Sequence, residues 1–105
     1  MVYNTITMPP ARRLLHVKDY LPGGLLREIR LYEVLRSRTY PDGVKYSCYL
    51  GDLETGEKII GYDIHTGKGP HRHVRGQETR YAFRGLETLL DDFDKDVQAV
   101  LEGRL

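Results

Sequence analysis

Residues 44–64, VKYSCYLGDLETGEKIIGYDI, contain two apolar runs that are joined by a polar turn. Alternate positions of the first run carry the apolar residues Val44, Tyr46, Cys48 and Leu50. This alternation is typical of a strand with one buried face. The turn Glu54–Glu57 leads into Lys58–Ile64, whose centre is β-branched and apolar. The stretch therefore predicts two adjacent antiparallel strands.

The chain before this hairpin predicts two more strands, Arg12–Tyr20 and Leu25–Leu35. Pro22-Gly23-Gly24 separates them, and glycine supplies the positive φ that hairpin turns need. A second turn is predicted at Tyr40-Pro41-Asp42-Gly43, where Pro and Asp-Gly interrupt the pattern. Residues 1–11 have little periodicity and are predicted to form a loose N-terminal arm.

The chain after the hairpin predicts a loop, a short strand and a helix, in that order. Thr66–Pro70 predicts a loop, because it holds two glycines and a proline in five residues. Thr79–Phe83 predicts a short fifth strand. Leu86–Leu101 has apolar residues at steps of three and four, which predicts an amphipathic helix with Gly85 as its N-cap and Gly103 as its stop. We therefore expect an α+β fold, an antiparallel hairpin meander of four to five strands with one C-terminal helix packed on a face.

The composition indicates one globular domain over residues 1–105, with 40% hydrophobic and 30% charged residues. No stretch approaches the ~18 apolar residues of a membrane span, so no membrane partner is expected. The single cysteine, Cys48, excludes an internal disulfide and a multi-cysteine zinc site. We predict a reducing cytoplasmic location, with Cys48 as a small core residue.

The net charge of +1 hides a strong asymmetry along the chain. Residues 65–84 carry a net charge of +4, and residues 85–105 carry −4. Three of the four histidines, His65, His71 and His73, lie in the basic segment. A short cationic segment rich in imidazole suits an anionic partner such as nucleic acid.

One hypothesis is that this segment cleaves RNA. If His71 and His73 are extended, their side chains point to the same side, about 6–7 Å apart. Imidazole titrates near neutrality, so the two histidines could share the roles of general base and general acid. Lys68 and Arg72 would stabilise the phosphoryl charge. Asp63 would orient a histidine.

Neighbouring residues are candidates for holding the RNA. Glycines at 67 and 69 allow a phosphate to approach the backbone closely, and arginines at 75 and 80 could hold flanking phosphates. A tyrosine could stack on a base, although each tyrosine is more often a packing residue. The candidate RNA-binding residues are Tyr62, His65, Gly67, Gly69, Arg75, Arg80 and Tyr81.

Three other interpretations remain open. Asp63, His65, His71 and His73 have the side chains of a metal-binding domain, although the adjacent basic residues would repel a dication. The same loop could bind RNA or phosphate without cleaving it. It could also be a solvated loop whose charge the acidic helix neutralises. We expect no cofactor and no metal.

The acidic side chains of the C-terminal helix are predicted to face water. They are Asp91, Asp92, Asp94, Asp96 and Glu102. The alternative is that they guard the basic segment or orient a partner. His16 stands alone in the first predicted strand and is expected to be structural.

Several motifs together resemble the TumE-type toxins of prokaryotic type II toxin–antitoxin modules. They are Gly61-Tyr62-Asp63, Gly67-Lys68-Gly69-Pro70-His71-Arg72-His73, Tyr81-x-Phe83 and Leu89-Leu90-x-x-Phe93. The resemblance spans roughly residues 12–100, and its GKGxHRH core is fairly specific. Two departures are Ile64, where asparagine is common, and Thr79-Arg80, which replaces an acidic residue and proline.

The resemblance implies a small toxin that acts on RNA and is silenced by a cognate antitoxin, usually a helix-turn-helix protein. The positions that match the family are Tyr62, Asp63, Gly67, Lys68, Gly69, His71, Arg72, His73 and Tyr81. We therefore predict a metal-independent ribonuclease toxin. A homodimer is a further expectation, because exposed edge strands favour pairing.

Overall fold

The computed structural model describes residues 11–105 as one six-stranded antiparallel sheet with a C-terminal helix. The elements are β1 (Arg12–Leu21), β2 (Leu25–Glu33), β3 (Val44–Asp52), β4 (Lys58–His65), β5 (Gly69–Val74), β6 (Gln77–Arg80) and α1 (Leu86–Leu101). Each strand pairs with its neighbours in chain order. The predicted N-terminal arm lies outside the described residues, except Ala11, which belongs to no regular element.

The predicted fold class is confirmed, with six strands in place of four to five. The helix covers the predicted range, with Gly85 at its N-cap position and Gly103 just beyond its end. Gly103 has a φ of +74°, the left-handed conformation that ends many helices. The period of the apolar residues was therefore sufficient to place this helix.

The predicted loop Thr66–Pro70 is wrong in its second half, because β5 begins at Gly69. The chain reverses within a tight turn, in which the Lys68 amide donates to the His65 carbonyl over 3.1 Å. Proline has no amide hydrogen, but it is tolerated near the start of a strand. Here the carbonyl of Pro70 accepts a hydrogen bond from the Tyr81 amide. The following His-Arg-His segment therefore lies inside the sheet.

The last strand lies earlier than Thr79–Phe83. β5 and β6 are joined by Arg75 and Gly76, whose φ values of +45° and +85° suit a two-residue hairpin turn. The chain leaves the sheet after Arg80, and the side chains of Tyr81 and Phe83 pack against the core. Phe83 stacks on Tyr46 with 5.3 Å between ring centroids.

The second predicted strand is shorter than expected at its C-terminal end. β2 ends at Glu33, whereas the alternation continues in sequence to Leu35. Leu35 is 59% exposed, so it is not part of the buried face. β2 ends at Glu33 because its neighbour β3 begins at Val44, the residue that pairs with Glu33.

The core lies between α1 and one face of the sheet. The largest fully buried side chains are Tyr62, Phe93, Leu50, Ile60, Leu89, Val97 and Cys48. Tyr62 of β4 meets Phe93 of α1 edge to face, with 6.0 Å between ring centroids. The helix therefore covers the face of the sheet that carries Tyr62, and the opposite face is not covered by the helix.

Cys48 is a core residue, as predicted, and this gives a testable reactivity. Its side chain is 1% exposed, and burial raises its pKa to about 12. The thiolate is the reactive form, so alkylation by iodoacetamide at pH 8 should be slowed by about 10³-fold or more in the folded chain. Urea should restore the rate of a free thiol. Rapid labelling of the folded chain, followed by mass spectrometry, would contradict the burial of Cys48.

Candidate functional site

The β4–β5 hairpin brings three imidazoles to the face of the sheet opposite α1. Asp63 pairs with His71 and Gly61 with His73 in the register, and directly opposed residues project to the same side. The ring of His65 lies 5.9 Å from that of His71 and 6.5 Å from that of His73. The two strands therefore collect side chains that are up to ten positions apart in sequence.

Two carboxylates contact these rings. Glu78 of β6 pairs with His73, and its Oε2 lies 3.2 Å from His73 Nε2. Asp63 Oδ1 lies 3.2 Å from Nε2 of His65. The Oε2 of Glu78 is also 3.6 Å from His65 Nε2. We call Asp63, His65, His71, His73 and Glu78 the imidazole cluster.

Two lysines add positive charge at the edge of the imidazole cluster. Lys58 Nζ lies 3.9 Å from Oδ2 of Asp63, and Lys68 Nζ lies 3.9 Å from Oε1 of Glu78. The Lys58 side chain can lie along the sheet because residue 61 is glycine. A Cβ at Gly61 would come within 2.2 Å of Lys58 Cε.

A bulge in β4 directs Lys58 to this face. Lys58 pairs with Gly51 and Ile60 pairs with Leu50, so Ile59 is an extra residue in the ladder. By simple alternation, Lys58 would be on the same face as the buried Ile60. The bulge places it on the opposite face, where it reaches the imidazole cluster.

The ionised form of Glu78 is favoured in this setting. Desolvation acts to raise the pKa of Glu78, but the positive charges of Lys68 and of the histidines outweigh it. The net result is a pKa below the ordinary glutamate range. Glu78 is therefore a carboxylate at neutral pH.

His71 differs from the other two histidines. Its side chain is buried, and its Nδ1 lies 2.9 Å from the carbonyl oxygen of Gly69. A carbonyl can only accept a hydrogen bond, so Nδ1 must carry the hydrogen. In the neutral ring, Nε2 then keeps its lone pair and can accept a proton.

Arg72 is placed on the other face of the sheet, away from the imidazole cluster. Its guanidinium donates to both carboxylate oxygens of Asp96 over 2.8 Å, and also to the Tyr62 hydroxyl. These contacts raise the pKa of Arg72 further, chiefly through the hydrogen bond with Asp96. Strand alternation explains the placement, because Arg72 lies between His71 and His73. Arg72 therefore lies apart from the imidazole cluster, on the opposite face of the sheet.

The prediction that the helix acids face water is wrong for Asp96. Asp96 is 8% exposed and accepts hydrogen bonds from Arg72 and from the Tyr62 hydroxyl. Asp91 and Asp94 are exposed as predicted. Acidic side chains of the helix thus pair with arginines of the basic segment at two positions, Asp96 with Arg72 at 2.8 Å and Asp92 with Arg84 at 3.9 Å.

Both candidate tyrosines pack at the interface between sheet and helix. Tyr62 is 2% exposed, and its hydroxyl is bonded to Asp96. Tyr81 packs edge to face on Tyr62, with 5.0 Å between centroids, and its hydroxyl donates to Asp92. Both rings belong to the interface between sheet and helix, which is the packing role that most tyrosines have.

The remaining candidates for RNA binding are divided. Gly67 lies in the β4–β5 turn, and Gly69 begins β5 close to the imidazole cluster. Arg80 is exposed and pairs in register with His71. Arg75 lies at the opposite end of β5, where it forms an ion pair with Glu57 at 3.1 Å. The Arg75 guanidinium is therefore paired with a carboxylate outside the imidazole cluster.

A pocket of about 380 Å³ lies next to the β4–β5 turn. One wall is formed by His65, Gly67 and Gly69 of that hairpin, and the other by residues 38–42 of the β2–β3 connection. Tyr40 and Pro41 belong to that second wall. The pocket shares His65 with the imidazole cluster.

Sequence reasoning missed Lys58 and Glu78 as members of the site. Glu78 had a signal, since it is the one acid in the basic segment 65–84. Its contact with His73 depends on the β5–β6 register, which required recognition of the Arg75-Gly76 turn. Lys58 depends on the β4 bulge, and we find no local sequence signal for it.

The fold and the imidazole cluster define a small α+β protein with three imidazoles and two carboxylates on one sheet face. The family model described as toxin TumE matches residues 12–101, so this chain belongs to the TumE toxin family. The resemblance drawn from the sequence motifs is thereby confirmed. Membership indicates a toxin and implies an antitoxin partner.

No curated protein and no solved structure is significantly similar to the chain. The family assignment therefore rests on the match over residues 12–101. Within residues 11–105, no helix combines the length and the apolar character that crossing a membrane requires.

Proposed function

We propose that this toxin is a metal-independent endoribonuclease and that His71 and His73 are its acid–base pair. The observation that carries the proposal is the imidazole cluster, in which carboxylates contact two of three rings on one face. RNA carries its own nucleophile, the 2′-hydroxyl, so cleavage needs only proton transfer and charge stabilisation. The general base removes the 2′-hydroxyl proton, and that oxygen attacks phosphorus. The general acid protonates the departing 5′-oxygen, which leaves a 2′,3′-cyclic phosphate and a 5′-hydroxyl.

The contacts assign different supporting groups to the two histidines. Glu78 contacts His73 at Nε2 and orients the ring, as a carboxylate does in other acid–base pairs. The Gly69 carbonyl fixes the Nδ1 hydrogen of His71 and leaves Nε2 for proton transfer. Asp63 supports His65 instead of the acid–base pair.

Lys58 and Lys68 are proposed to stabilise the phosphoryl oxygens. Both ammonium groups lie 3.9 Å from a carboxylate oxygen, which is an ion pair too long for a hydrogen bond. Their hydrogen-bond donors are thus available to an incoming phosphate. Lys58 takes the role that Arg72 had in the sequence-based hypothesis, and Arg80 can hold a flanking phosphate.

The pocket beside the β4–β5 turn is proposed to hold a base of the RNA. It adjoins His65, and it has Tyr40 and Pro41 on the facing wall. A nucleobase needs a flat, partly apolar surface on which to stack. This assignment replaces Tyr62 and Tyr81, which are engaged in the core.

The partners follow from the same proposal. RNA is the substrate, and the antitoxin is expected to be a helix-turn-helix protein, as the resemblance implies. The two edge strands of the described sheet, β1 and β6, allow pairing with a second copy or another chain. Action on cellular RNA requires a cytoplasmic location.

Incubation of the purified chain with total RNA in excess EDTA tests the proposal. We expect new 5′-hydroxyl ends and matching 2′,3′-cyclic phosphates, mapped by sequencing of the fragment ends. Salt-sensitive retention of RNA without new ends would replace the enzyme with a binding module. Cleavage that disappears in EDTA would contradict metal independence.

A further inference from the structure

We infer that Asp63, His65 and His73 form a binding site for one Zn²⁺-class transition-metal ion. One ligand atom from each of these three residues can be chosen so that all lie within 4.8 Å of one another. Asp63 Oδ1 and His65 Nε2 are separated by 3.2 Å. Two imidazoles and one carboxylate are the donor set of many three-ligand zinc sites.

The spacing suits a small, four-coordinate ion. Ligands about 2.0–2.2 Å from a tetrahedral metal lie about 3.3–3.5 Å from one another. The Asp63–His65 separation is close to that value, and the ligand atom of His73 lies within 4.8 Å of the other two. Nitrogen donors favour zinc, nickel or iron over magnesium and calcium, which prefer oxygen.

An unsatisfied carboxylate oxygen points to the same site. Asp63 Oδ1 is a buried atom. Its 3.2 Å contact with His65 Nε2 lacks hydrogen-bond geometry, so among the described residues it has no hydrogen-bond partner. A buried carboxylate oxygen without a hydrogen bond is costly. A cation between Asp63 and the His65 ring would supply the missing interaction.

The charge argument against a metal is weakened by the fold. In sequence, Arg72 lies between two of the candidate ligands, but in the structure it is on the opposite face and paired with Asp96. The nearby Lys58 and Lys68 each face a carboxylate, Asp63 and Glu78. Repulsion of a dication is therefore smaller than the linear sequence indicates.

The site has three ligands instead of the four in the sequence-based alternative. His71 is not part of the group, and its Nδ1 is engaged by the Gly69 carbonyl. A fourth position is left for water or for Glu78, whose Oε2 lies 3.2 Å from His73 Nε2 and 3.6 Å from His65 Nε2.

The consequence for activity rests on the proposed ribonuclease function. A metal bound to His73 Nε2 displaces Glu78 from that nitrogen. It also prevents the ring from carrying a proton on both nitrogens, which is the form that a general acid needs. The ion therefore inhibits cleavage, and an ion-free chain is the active form.

Metal binding is tested first, without RNA. Untagged, EDTA-washed protein is titrated with Co²⁺ for visible absorption and with Zn²⁺ for native mass spectrometry. We expect one ion per chain, and a loss of affinity of about 10–100-fold or more in Asp63→Asn and His65→Gln. The matched control is His16→Gln, because His16 also contacts a carboxylate, Glu28, at 2.8 Å. Absence of a stoichiometric ion, or equal affinity in His65→Gln, would overturn the site.

Inhibition is tested second, as the ratio of cleavage rates with and without one equivalent of Zn²⁺. We expect at least a tenfold lower rate for the native chain and a ratio close to one for His65→Gln. A bound ion that leaves native cleavage unchanged would overturn the inhibitory role. A chain that binds the ion but never cleaves RNA would overturn both the inhibitory role and the ribonuclease function, while the metal site would stand.

Discussion

Replacement of His73 by Ala is expected to lower the rate of RNA cleavage by about 10²–10⁴-fold, the usual contribution of a general acid or base. His73 lies on the same face as His71, and the carboxylate of Glu78 contacts its Nε2 at 3.2 Å. Truncation removes one of the two imidazoles that transfer protons and leaves Glu78 without its contact at His73 Nε2. Initial rates on a defined RNA in excess EDTA measure the effect.

The matched control is His16→Ala. His16 is also a histidine with a carboxylate partner on a strand, but it lies in β1, outside the imidazole cluster. We expect His16→Ala to keep the native cleavage rate, and both variants to keep the native circular-dichroism spectrum. Unchanged cleavage in a folded His73→Ala would remove His73 from the mechanism, and an equal loss in both variants would indicate a general structural effect.

Replacement of Asp96 by Ala is expected to destabilise the fold by about 2–4 kcal/mol. Asp96 accepts two hydrogen bonds from Arg72 and one from the Tyr62 hydroxyl, and all three groups lie between sheet and helix. Its removal leaves a charged guanidinium and a hydroxyl without their acceptor. The expected cost is below that of a fully buried pair, because the Arg72 side chain is 33% exposed.

Urea unfolding measures this change, and Asp91→Ala is its control. Asp91 lies on the same helix, is exposed, and forms no ion pair with the residues of the described range. We expect Asp91→Ala to change the free energy of unfolding by less than about 0.5 kcal/mol. Similar values for the two variants would contradict the role assigned to Asp96.

Local pattern was enough for much of the fold. The alternation of Tyr46, Cys48 and Leu50 predicted which side of β3 is buried, and all three are buried. The three-and-four spacing from Leu86 to Leu101 predicted the helix with its observed ends. These predictions succeeded because strand and helix periods are properties of the backbone, readable within a single element.

The candidate site was only partly predictable. The sequence indicated that His71 and His73 project to the same side if the chain is extended there. Both residues lie in β5, which is extended. The same alternation sends Arg72 to the opposite side, where only the position of α1 provides Asp96 as its partner. A pattern within one strand cannot identify which helix residue will lie across from it.

By itself, the sequence determined the fold class, the helix and the family, because these depend on periodicity and on motifs contiguous in the chain. The tertiary structure decided which charged groups meet. Glu78 reaches His73 through the β5–β6 register, and Lys58 reaches Asp63 through the β4 bulge. Both contacts depend on hydrogen bonding between strands, and a shift of one residue in register would move those side chains to the other face.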